Sequence, residues 1–333
     1  MRTAYTSIIA IVLCFFTPFG ETSYAKGDFA LFIFDFDGKG DDGFDKSASM
    51  GIERVRKELK VGVKEYEPRG VKKARAEVRE AIKNGTKLII SLGFRMASVI
   101  EKVAKDNPNS HFVIIDAIVD LPNVASYVFN EQEGSFLAGY MAAKFSKSQS
   151  VGYIGGAPIP PLKRFESGFV QGARYALPKI QIAREYIDNN PKNSNVWNNA
   201  PKAKRIARNQ FSKGADVIFA VAGGSGTGVF IAAKEVQKHA IGVDINQNPE
   251  MPGRVLTSMV KRVDNAVFNA VQTSLSGKFQ SGQTVLGLKE GGVGLAIDHH
   301  TKKLVSEQTL NEIKALSQKI KEGSLPIKKN LSH

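Results

Sequence analysis

The sequence predicts an α/β protein of two similar lobes, each a parallel β-sheet flanked by helices. The first observation is the alternation of helices with nearly continuous apolar strands, which is typical of parallel strands buried on both faces. The second is an internal repeat, since residues 85–116 and 214–244 each run from a glycine through an apolar strand, a glycine-bearing loop, a helix and a second strand to an aspartate. Two such units indicate two lobes of similar build.

The remaining elements follow the chain in order. The pattern predicts for the first lobe a strand at 29–35, a helix ending near residue 60, a strand at 61–68, a basic helix, the first repeat unit and a strand at 123–130. For the second lobe it predicts a helix from Glu131, a strand at 151–156, a helix near 163–175, a strand at 180–188, a basic helix, the second repeat unit and a strand at 253–261. A helix to about residue 279, two short strands (TVLGL and GVGLAI) and a helix from 306 to about 321 complete the chain.

The N-terminus is predicted to be a signal peptide at residues 1–25. Arg2 precedes a short apolar run, and Ser23-Tyr24-Ala25 supplies the small residues of a cleavage site. The run is shorter than the about 20 apolar residues that a membrane span requires. Cys14 is the single cysteine and follows Leu13, so a lipid anchor is not expected, and cleavage after Ala25 would leave the mature chain without a thiol.

The formal net charge is +14, and a basic chain raises the question of nucleic acid. The lysines and arginines lie along apparent amphipathic helices, VKKARAEVREAIKNG and PKAKRIARNQFSKG among them. Solvated helix faces explain the charge better, and no nucleic-acid partner is expected.

Asp116 and Asp244 end equivalent strands of the two repeat units. In open α/β sheets ligands bind outside the carboxyl ends of the strands, so both carboxylates are predicted to flank one cleft between the lobes. Each alone is also compatible with a helix cap or a turn. Their equivalent placement favours a functional role.

The segment GGSGTG (223–228) follows an apolar strand, as a phosphate-binding loop does. It lacks the Gly-Lys-Ser/Thr of a P-loop, and Val229 stands where the third glycine of a dinucleotide-binding motif belongs. It offers close backbone approach and a helix N-terminus, or simply a tight turn. Phe44 and Phe219 lie near predicted strand ends and are expected either to stack on a flat ring or to belong to the core.

No catalytic or metal-binding motif is present in the sequence, and no cofactor is expected. His299 and His300 are adjacent, so on a strand they would point to opposite faces. The acidic segment GKGDDGFDKS lacks the spacing and the closing glutamate of an EF-hand.

Several segments in order resemble the basic membrane protein family of solute-binding proteins, the group that includes purine-nucleoside receptors of ABC transporters. These segments are DDGFDKSASMGI, FVIID, NEQEGSFLAGYMAAK, VGYIGG with FESGFVQGA, VIFAVAGGSGTGV, IGVD and TSMVKRVDNAV. The resemblance implies a two-lobed periplasmic binding protein of type I, the sugar-receptor type, with three crossovers between the lobes. It divides the chain into lobe 1 (26–130, completed by 262–285) and lobe 2 (131–261, completed by 286–333).

The resemblance also implies a set of ligand-binding residues. Phe44 and Phe219 would stack on the base, and Asp116 would accept hydrogen bonds from its edge. The ribose hydroxyls would be bound by Gly224, Asp244 and Lys261, although the sequence alone favours a solvated Lys261 at a strand end. Asp41 and Asp45 are weaker candidates at the mouth of the cleft. Asp45 replaces the asparagine of the family pattern, so an acceptor-only carboxylate stands for an amide.

The function implied is that of a receptor, not an enzyme. A free periplasmic protein, a monomer, would bind a purine nucleoside and deliver it to an ABC permease and ATPase complex in the inner membrane. The same role with another ring-bearing ligand, riboflavin or a free base, remains an alternative because of Asp45. A nucleoside-processing enzyme is a third hypothesis, and it would require a metal-binding aspartate cluster.

Overall fold

The computed structural model describes residues 28–36, 39–40, 43–190 and 193–331, with the backbone alone at Ser194. The predicted signal peptide (1–25) with Cys14, and the candidate residue Asp41, lie outside these residues. In the part of the chain that is described, no helix has both the length and the apolar character needed to cross a bilayer.

Twelve strands are found in the described residues. They are β1 (Ala30–Ile33), β2 (Val63–Tyr66), β3 (Leu88–Leu92), β4 (His111–Ile115), β5 (Val124–Phe129), β6 (Ser150–Gly155), β7 (Gln181–Tyr186), β8 (Val217–Val221), β9 (His239–Asp244), β10 (Val255–Lys261), β11 (Gly282–Leu286) and β12 (Val293–Leu295).

The same residues form ten α-helices. They are α1 (Phe44–Arg54), α2 (Val71–Lys83), α3 (Ala97–Asp106), α4 (Glu131–Phe145), α5 (Pro160–Ala176), α6 (Ala200–Ser212), α7 (Gly226–Glu235), α8 (Val263–Leu275), α9 (His299–Leu304) and α10 (Glu307–Lys321). The first helix continues as a π-helical segment, Val55–Leu59.

The strands form two six-stranded sheets with the same order. The first sheet runs β11-β5-β4-β3-β1-β2 and the second runs β12-β10-β9-β8-β6-β7. The first is parallel throughout. The second differs because its edge strand β12 is antiparallel to β10. Strands β3, β6 and β8 are buried along their whole length, which explains their apolar sequences. The internal repeat therefore corresponds to two lobes of equivalent topology.

The chain passes between the lobes three times: after β5 into α4, after β10 into α8, and between β11 and β12. Helix α8 packs on α1 and so returns to the first lobe, whereas α4 packs on α5 in the second. The predicted two-lobed α/β fold with three crossovers is confirmed.

Close packing of α4 on α5 explains several glycines of the second lobe. A Cβ at Gly139 would lie 2.0 Å from the Phe169 carbonyl oxygen, and one at Gly172 would lie 1.9 Å from that of Phe136. Real Cβ atoms do not approach a carbonyl so closely, so these positions exclude any side chain. The motifs EGSFLAGYMAAK and FESGFVQGA therefore encode a helix–helix contact.

The structure differs from the predicted elements near the C-terminus. Helix α8 ends at Leu275, before the expected residue 279, and the strand expected over GVGLAI is only three residues long. Asp298 then starts the short helix α9, because its side chain accepts hydrogen bonds from the backbone N–H groups of His300 and Thr301. The rings of His299 and His300, predicted to diverge, lie 3.8 Å apart between centroids in α9.

Candidate ligand-binding site

A cavity of about 280 Å³ lies between the two lobes. Both lobes contribute side chains to its wall, as expected for a cleft at the carboxyl ends of two parallel sheets. The lining residues are Asp35, Gly40, Phe44, Asp45, Gly93, Phe94, Arg95 and Asp116 from the first lobe, and Ile159, Leu162, Phe165, Asn195, Trp197, Asn198, Val221, Gly223, Asp244 and Lys261 from the second.

Asp116 and Asp244 occupy equivalent positions at this cavity. Asp116 follows β4 directly and Asp244 is the last residue of β9. Both have left-handed backbone conformations, with φ of 74° and 65°. Non-glycine residues in this region are uncommon and cost free energy, and they concentrate at functional sites. The repeat predicted that both carboxylates reach one cleft, and the structure has this arrangement.

Lys261 is the buried cation of the cavity. Its side chain is 2% exposed, and its Nζ lies 2.6 Å from both carboxylate oxygens of Asp116. Three phenylalanine rings surround the ammonium at 4.9–5.8 Å from their centroids (Phe44, Phe129 and Phe165). Burial alone would lower the lysine pKa, but the charges of Asp116, Glu131 and Asp244 outweigh it and raise the pKa above its ordinary value. Lys261 is therefore a charged group at neutral pH, not the solvated lysine that the sequence alone favours.

Glu131 lies beneath Lys261, at the first residue of α4. It is fully buried, with Oε1 3.1 Å from Lys261 Nζ and Oε2 2.5 Å from Arg164 Nε. Arg164 belongs to α5 and is mostly buried. Burial would lower the pKa of its guanidinium, but Glu131 and Asp116 raise it. Two carboxylates (Asp116 and Glu131) and two cations (Lys261 and Arg164) thus form one network of zero net charge beside the crossovers between the lobes.

Four aromatic side chains line the cavity, Phe44 and Phe94 from the first lobe and Phe165 and Trp197 from the second. Phe44 is the first residue of α1. Trp197 ends a 3₁₀ turn between β7 and α6 and lies against Gly156, where a Cβ would be 2.4 Å from the indole ring. Because no other residue fits beneath the ring, Gly156 fixes where Trp197 can lie.

Phe219, predicted to stack on a ligand ring, is placed in the core of the second lobe instead. It is 0% exposed and is not part of the cavity wall. It lies in mid-strand, and its ring contacts Tyr153, Phe165 and Phe169 at 5.5–6.2 Å between centroids. Phe165 lines the cavity and so separates Phe219 from it.

The segment GGSGTG serves packing as well as the cavity. Gly223 lines the cavity with φ of 54°, whereas Gly224 does not line it. A Cβ at Gly224 would lie 3.1 Å from the Trp197 carbonyl oxygen and 3.5 Å from that of Gly40 in the other lobe. Ser225 donates a hydrogen bond to the Val196 carbonyl at 2.9 Å, which anchors the turn that carries Trp197. Gly224 thus permits two close backbone approaches, one of them across the lobes.

Two further acidic positions lie on the first-lobe side. Asp45 is 9% exposed and lines the cavity in the first turn of α1, where the helix N-terminus favours a negative charge. Asp35 Oδ2 accepts a hydrogen bond from Arg95 Nε at 2.8 Å, and both side chains line the cavity. A Cβ at Gly93, which has φ of 96°, would lie 3.2 Å from Asp35 Oδ2.

Sequence reasoning therefore identified five residues of the cavity wall (Phe44, Asp45, Asp116, Asp244 and Lys261) and missed others. Arg95 and Trp197 belong to no recognisable sequence motif, because each lies in a short irregular turn. Glu131 lay inside the quoted segment NEQEGSFLAGYMAAK, but an acidic residue at a helix N-terminus is ordinarily explained by the helix dipole. Glycine pairs after strands, such as Gly155-Gly156, were the available signal for a packed ring.

Comparison with known proteins identifies the family. The profile of the Bmp family, described as ABC transporter substrate-binding protein PnrA-like, matches residues 30–331. The chain belongs to this family of ABC transporter substrate-binding proteins. The predicted resemblance is confirmed, and so is the expectation of a receptor, not an enzyme.

Individual relatives agree with this assignment. The chain is 32% identical over 311 residues to a protein of Lactococcus lactis named ABC transporter nucleoside-binding protein BmpA, with 86% of each chain covered. A solute-binding protein of an ABC transporter system from Aeropyrum pernix superposes with a TM-score of 0.81 at 28% identity, covering 91% of this chain and 94% of that one. The arabinose-binding protein AraP of Geobacillus stearothermophilus shares the fold alone, with a TM-score of 0.61 at 17% identity over 84% of this chain and all of that one.

The site is suited to binding a polar ligand with a flat ring. It combines aromatic surfaces from both lobes with buried carboxylates and one buried ammonium. Among the described residues no group of three or more histidine, cysteine or acidic side chains is arranged to hold a metal ion.

Proposed function

We propose that the protein binds a purine nucleoside between its lobes and delivers it to an ABC importer. The observation that carries the proposal is one cavity in which Phe44 and Trp197, from opposite lobes, accompany the equivalent carboxylates Asp116 and Asp244. Aromatic rings suit a base, since stacking contributes about 1–3 kcal/mol per base. Carboxylates suit hydroxyl groups, since charge-assisted hydrogen bonds contribute about 1.5–3 kcal/mol each.

The proposed roles follow the position of each group. Asp244 and Lys261 bind the ribose hydroxyls together with the backbone at Gly223, whereas Gly224, which the sequence predicted for this role, lies outside the cavity wall. Asp116 accepts hydrogen bonds from the base edge once the ligand shares it with Lys261. A ligand without these hydroxyls forfeits the hydrogen bonds to Asp244 and Lys261, and this gives the site its specificity.

Transport requires that the bound form differ from the empty one. The lobes are joined by three crossovers and meet across the cavity where Gly224 approaches Gly40. Because these segments already lie close together in the structure, hinge opening would separate them, and closure over the ligand would restore this contact and create the surface that the permease and ATPase complex recognises. The receptor is proposed to act in the periplasm as a monomer, and nucleic acid has no part in this function.

Asp45 favours one alternative ligand class. Its carboxylate lines the cavity and only accepts hydrogen bonds, so it selects ring edges that donate them. Riboflavin and free nucleobases carry ring N–H groups, as guanosine and inosine do, and have flat rings that would stack on the aromatic side chains of the cavity. The alternative is therefore the same receptor function for another ring-bearing ligand.

The test is ligand binding by residues 26–333 after unfolding and refolding, which removes carried-over ligand. Trp197 is the single tryptophan of the chain and lines the cavity, so its fluorescence reports occupancy directly. Guanosine, inosine, adenosine, cytidine, riboflavin, adenine and ribose form the panel. A ligand at 100 times its Kd also stabilises the fold by about 2.7 kcal/mol in thermal unfolding.

Purine nucleosides are expected to bind, and Asp244→Asn is expected to weaken binding at least about tenfold. The matched control is Asp120→Asn, because Asp120 is exposed in the loop after Asp116 and outside the cavity wall. Binding of riboflavin or adenine without any purine nucleoside would overturn the ligand and keep the receptor. Equal losses in both variants would overturn the site.

A further inference from the structure

Glu131 has a position that helix formation does not require. It is fully buried at the start of α4, where the chain crosses from the first lobe to the second. A carboxylate at a helix N-terminus is ordinarily exposed to water, because removing a charge from solvent is costly. Here both of its oxygens are used by cations, Oε1 by Lys261 and Oε2 by Arg164.

Lys261 links this carboxylate to the cavity. The ammonium has three N–H donors and contacts three carboxylate oxygens, two of Asp116 and one of Glu131. Asp116 lines the cavity, but Glu131 does not. A ligand that hydrogen-bonds to Asp116 therefore competes with Lys261, whereas the contact between Glu131 and Lys261 lies out of its reach.

Arg164 fixes Glu131 independently of the ligand. Its Nε and Nη2 atoms lie 2.5 and 3.3 Å from the two carboxylate oxygens, and Arg164 does not line the cavity. The guanidinium fork holds a carboxylate in a defined orientation. Glu131 is thereby held between a permanent cation behind it and the Lys261 ammonium in front.

We propose that Glu131, fixed by Arg164, is a positioning residue that holds the Lys261 ammonium at the floor of the cavity while the ligand takes over hydrogen bonds of Asp116. This inference rests on the proposed function and adds a residue to it that does not touch the ligand. Without Glu131 the ammonium has, among the described residues, Asp116 as its one direct carboxylate partner. The ligand must then displace a tighter pair, and its affinity falls.

A double-mutant cycle in residues 26–333 tests the proposal. Kd for guanosine and inosine is measured by Trp197 fluorescence in the wild type, Glu131→Gln, Lys261→Met and the double variant, well below each unfolding midpoint. Glu131→Gln is expected to weaken binding by roughly tenfold to hundredfold, the range for a hydrogen bond to a charged group. In the Lys261→Met background the same substitution is expected to change Kd less than about threefold, because the group through which Glu131 acts is absent.

The matched control is Glu166→Gln on α5. Glu166 is also a largely buried carboxylate, but it contacts Arg184 and Tyr186, away from the cavity. It is expected to leave Kd unchanged. Losses that simply add in the double variant, or an unchanged Kd in Glu131→Gln, would overturn the positioning role.

A failure of the proposed function gives a different result, because the wild type itself would then bind neither nucleoside. If Glu131→Gln does not fold, Arg164→Gln replaces it in the same cycle. That variant keeps Glu131 in contact with Lys261 but removes the anchor. It is expected to weaken binding in the wild-type background and not in Lys261→Met, and equal losses in both backgrounds would contradict the proposal.

Discussion

Lys261→Met offers the sharpest test of the buried ion network. The ammonium is 2% exposed and lies 2.6 Å from Asp116 and 3.1 Å from Glu131. Its removal leaves Glu131 paired with Arg164 but leaves Asp116 without its cation. Breaking a buried ion pair in this way destabilises a fold by about 3–5 kcal/mol. For a chain of this size, at about 2 °C per kcal/mol, the unfolding midpoint should fall by about 6–10 °C.

The assay is thermal unfolding followed by circular dichroism at pH 7, without ligand. Removing both partners should cost less than removing one, so Lys261→Met with Asp116→Asn is expected to recover at least about half of the lost midpoint. A fall of less than about 2 °C in the single variant would refute the reasoning, since it would show that water solvates the pair.

The pH dependence of the unfolding midpoint provides a second test of the ion network, and the direction of the expected change is known. The folded-state pKa of Lys261 is raised above its ordinary value of 10.5, because the neighbouring carboxylates outweigh the effect of burial. A raised lysine pKa contributes stability that is complete below the unfolded-state pKa and is lost as pH rises through the folded-state pKa. The midpoints of the wild type and Lys261→Met should therefore converge above about pH 10.5.

Three further predictions concern packing and capping. Gly156→Ala places a Cβ 2.4 Å from the Trp197 ring. The Kd for guanosine should therefore rise at least about tenfold, and the tryptophan emission should shift. An unchanged emission spectrum would contradict the packing of Trp197 on Gly156. Phe219→Leu should lower the free energy of unfolding by about 1–2 kcal/mol in urea and leave Kd within about twofold; the reverse result would return Phe219 to the ligand. Asp298→Ala should cost about 1 kcal/mol at pH 7 through loss of the α9 cap. Although burial opposes it, hydrogen bonds from Asn246 and the α9 backbone lower the Asp298 pKa to about 2. The cap therefore stabilises the fold fully above about pH 4, and its contribution is lost as pH falls through about 2, so urea unfolding of the variant and wild type should converge over this range.

The two lobes could be predicted from the sequence because the hydrophobic patterns of their strands and helices are periodic. Apolar strands such as β3 and β8 are buried along their whole length, and this requirement is visible as an unbroken apolar run. The repeat placed Asp116 and Asp244 at equivalent strand ends, because topology decides where a strand ends. Both predictions depend on residues that are neighbours in the sequence or in a sheet, and both hold in the structure.

The side-chain direction of the aromatic residues could not be predicted in the same way. Phe219 and Trp197 are both aromatic, but Phe219 is buried in the core and Trp197 lines the cavity. The burial of Phe219 depends on which ring from α5 covers its strand. Phe165 covers Phe219, whereas Gly156 leaves room for Trp197. These contacts join residues far apart in sequence, so no local pattern contains them. A packed aromatic ring has one local sign in the sequence. It is a glycine directly after a strand, at a position where no turn requires glycine.

The crossovers between the lobes contribute residues to the ion network at the cavity. Phe129 ends β5 and Glu131 starts α4 on the first crossover, and Lys261 ends β10 on the second. The ammonium of Lys261 contacts Asp116 from the first lobe and Glu131 at the start of the second. A ligand that shares Asp116 therefore changes a contact between the lobes themselves, and no separate relay is needed. Because binding free energy can shift an equilibrium only through such differential contacts, the proposed ligand would act on lobe closure through this network.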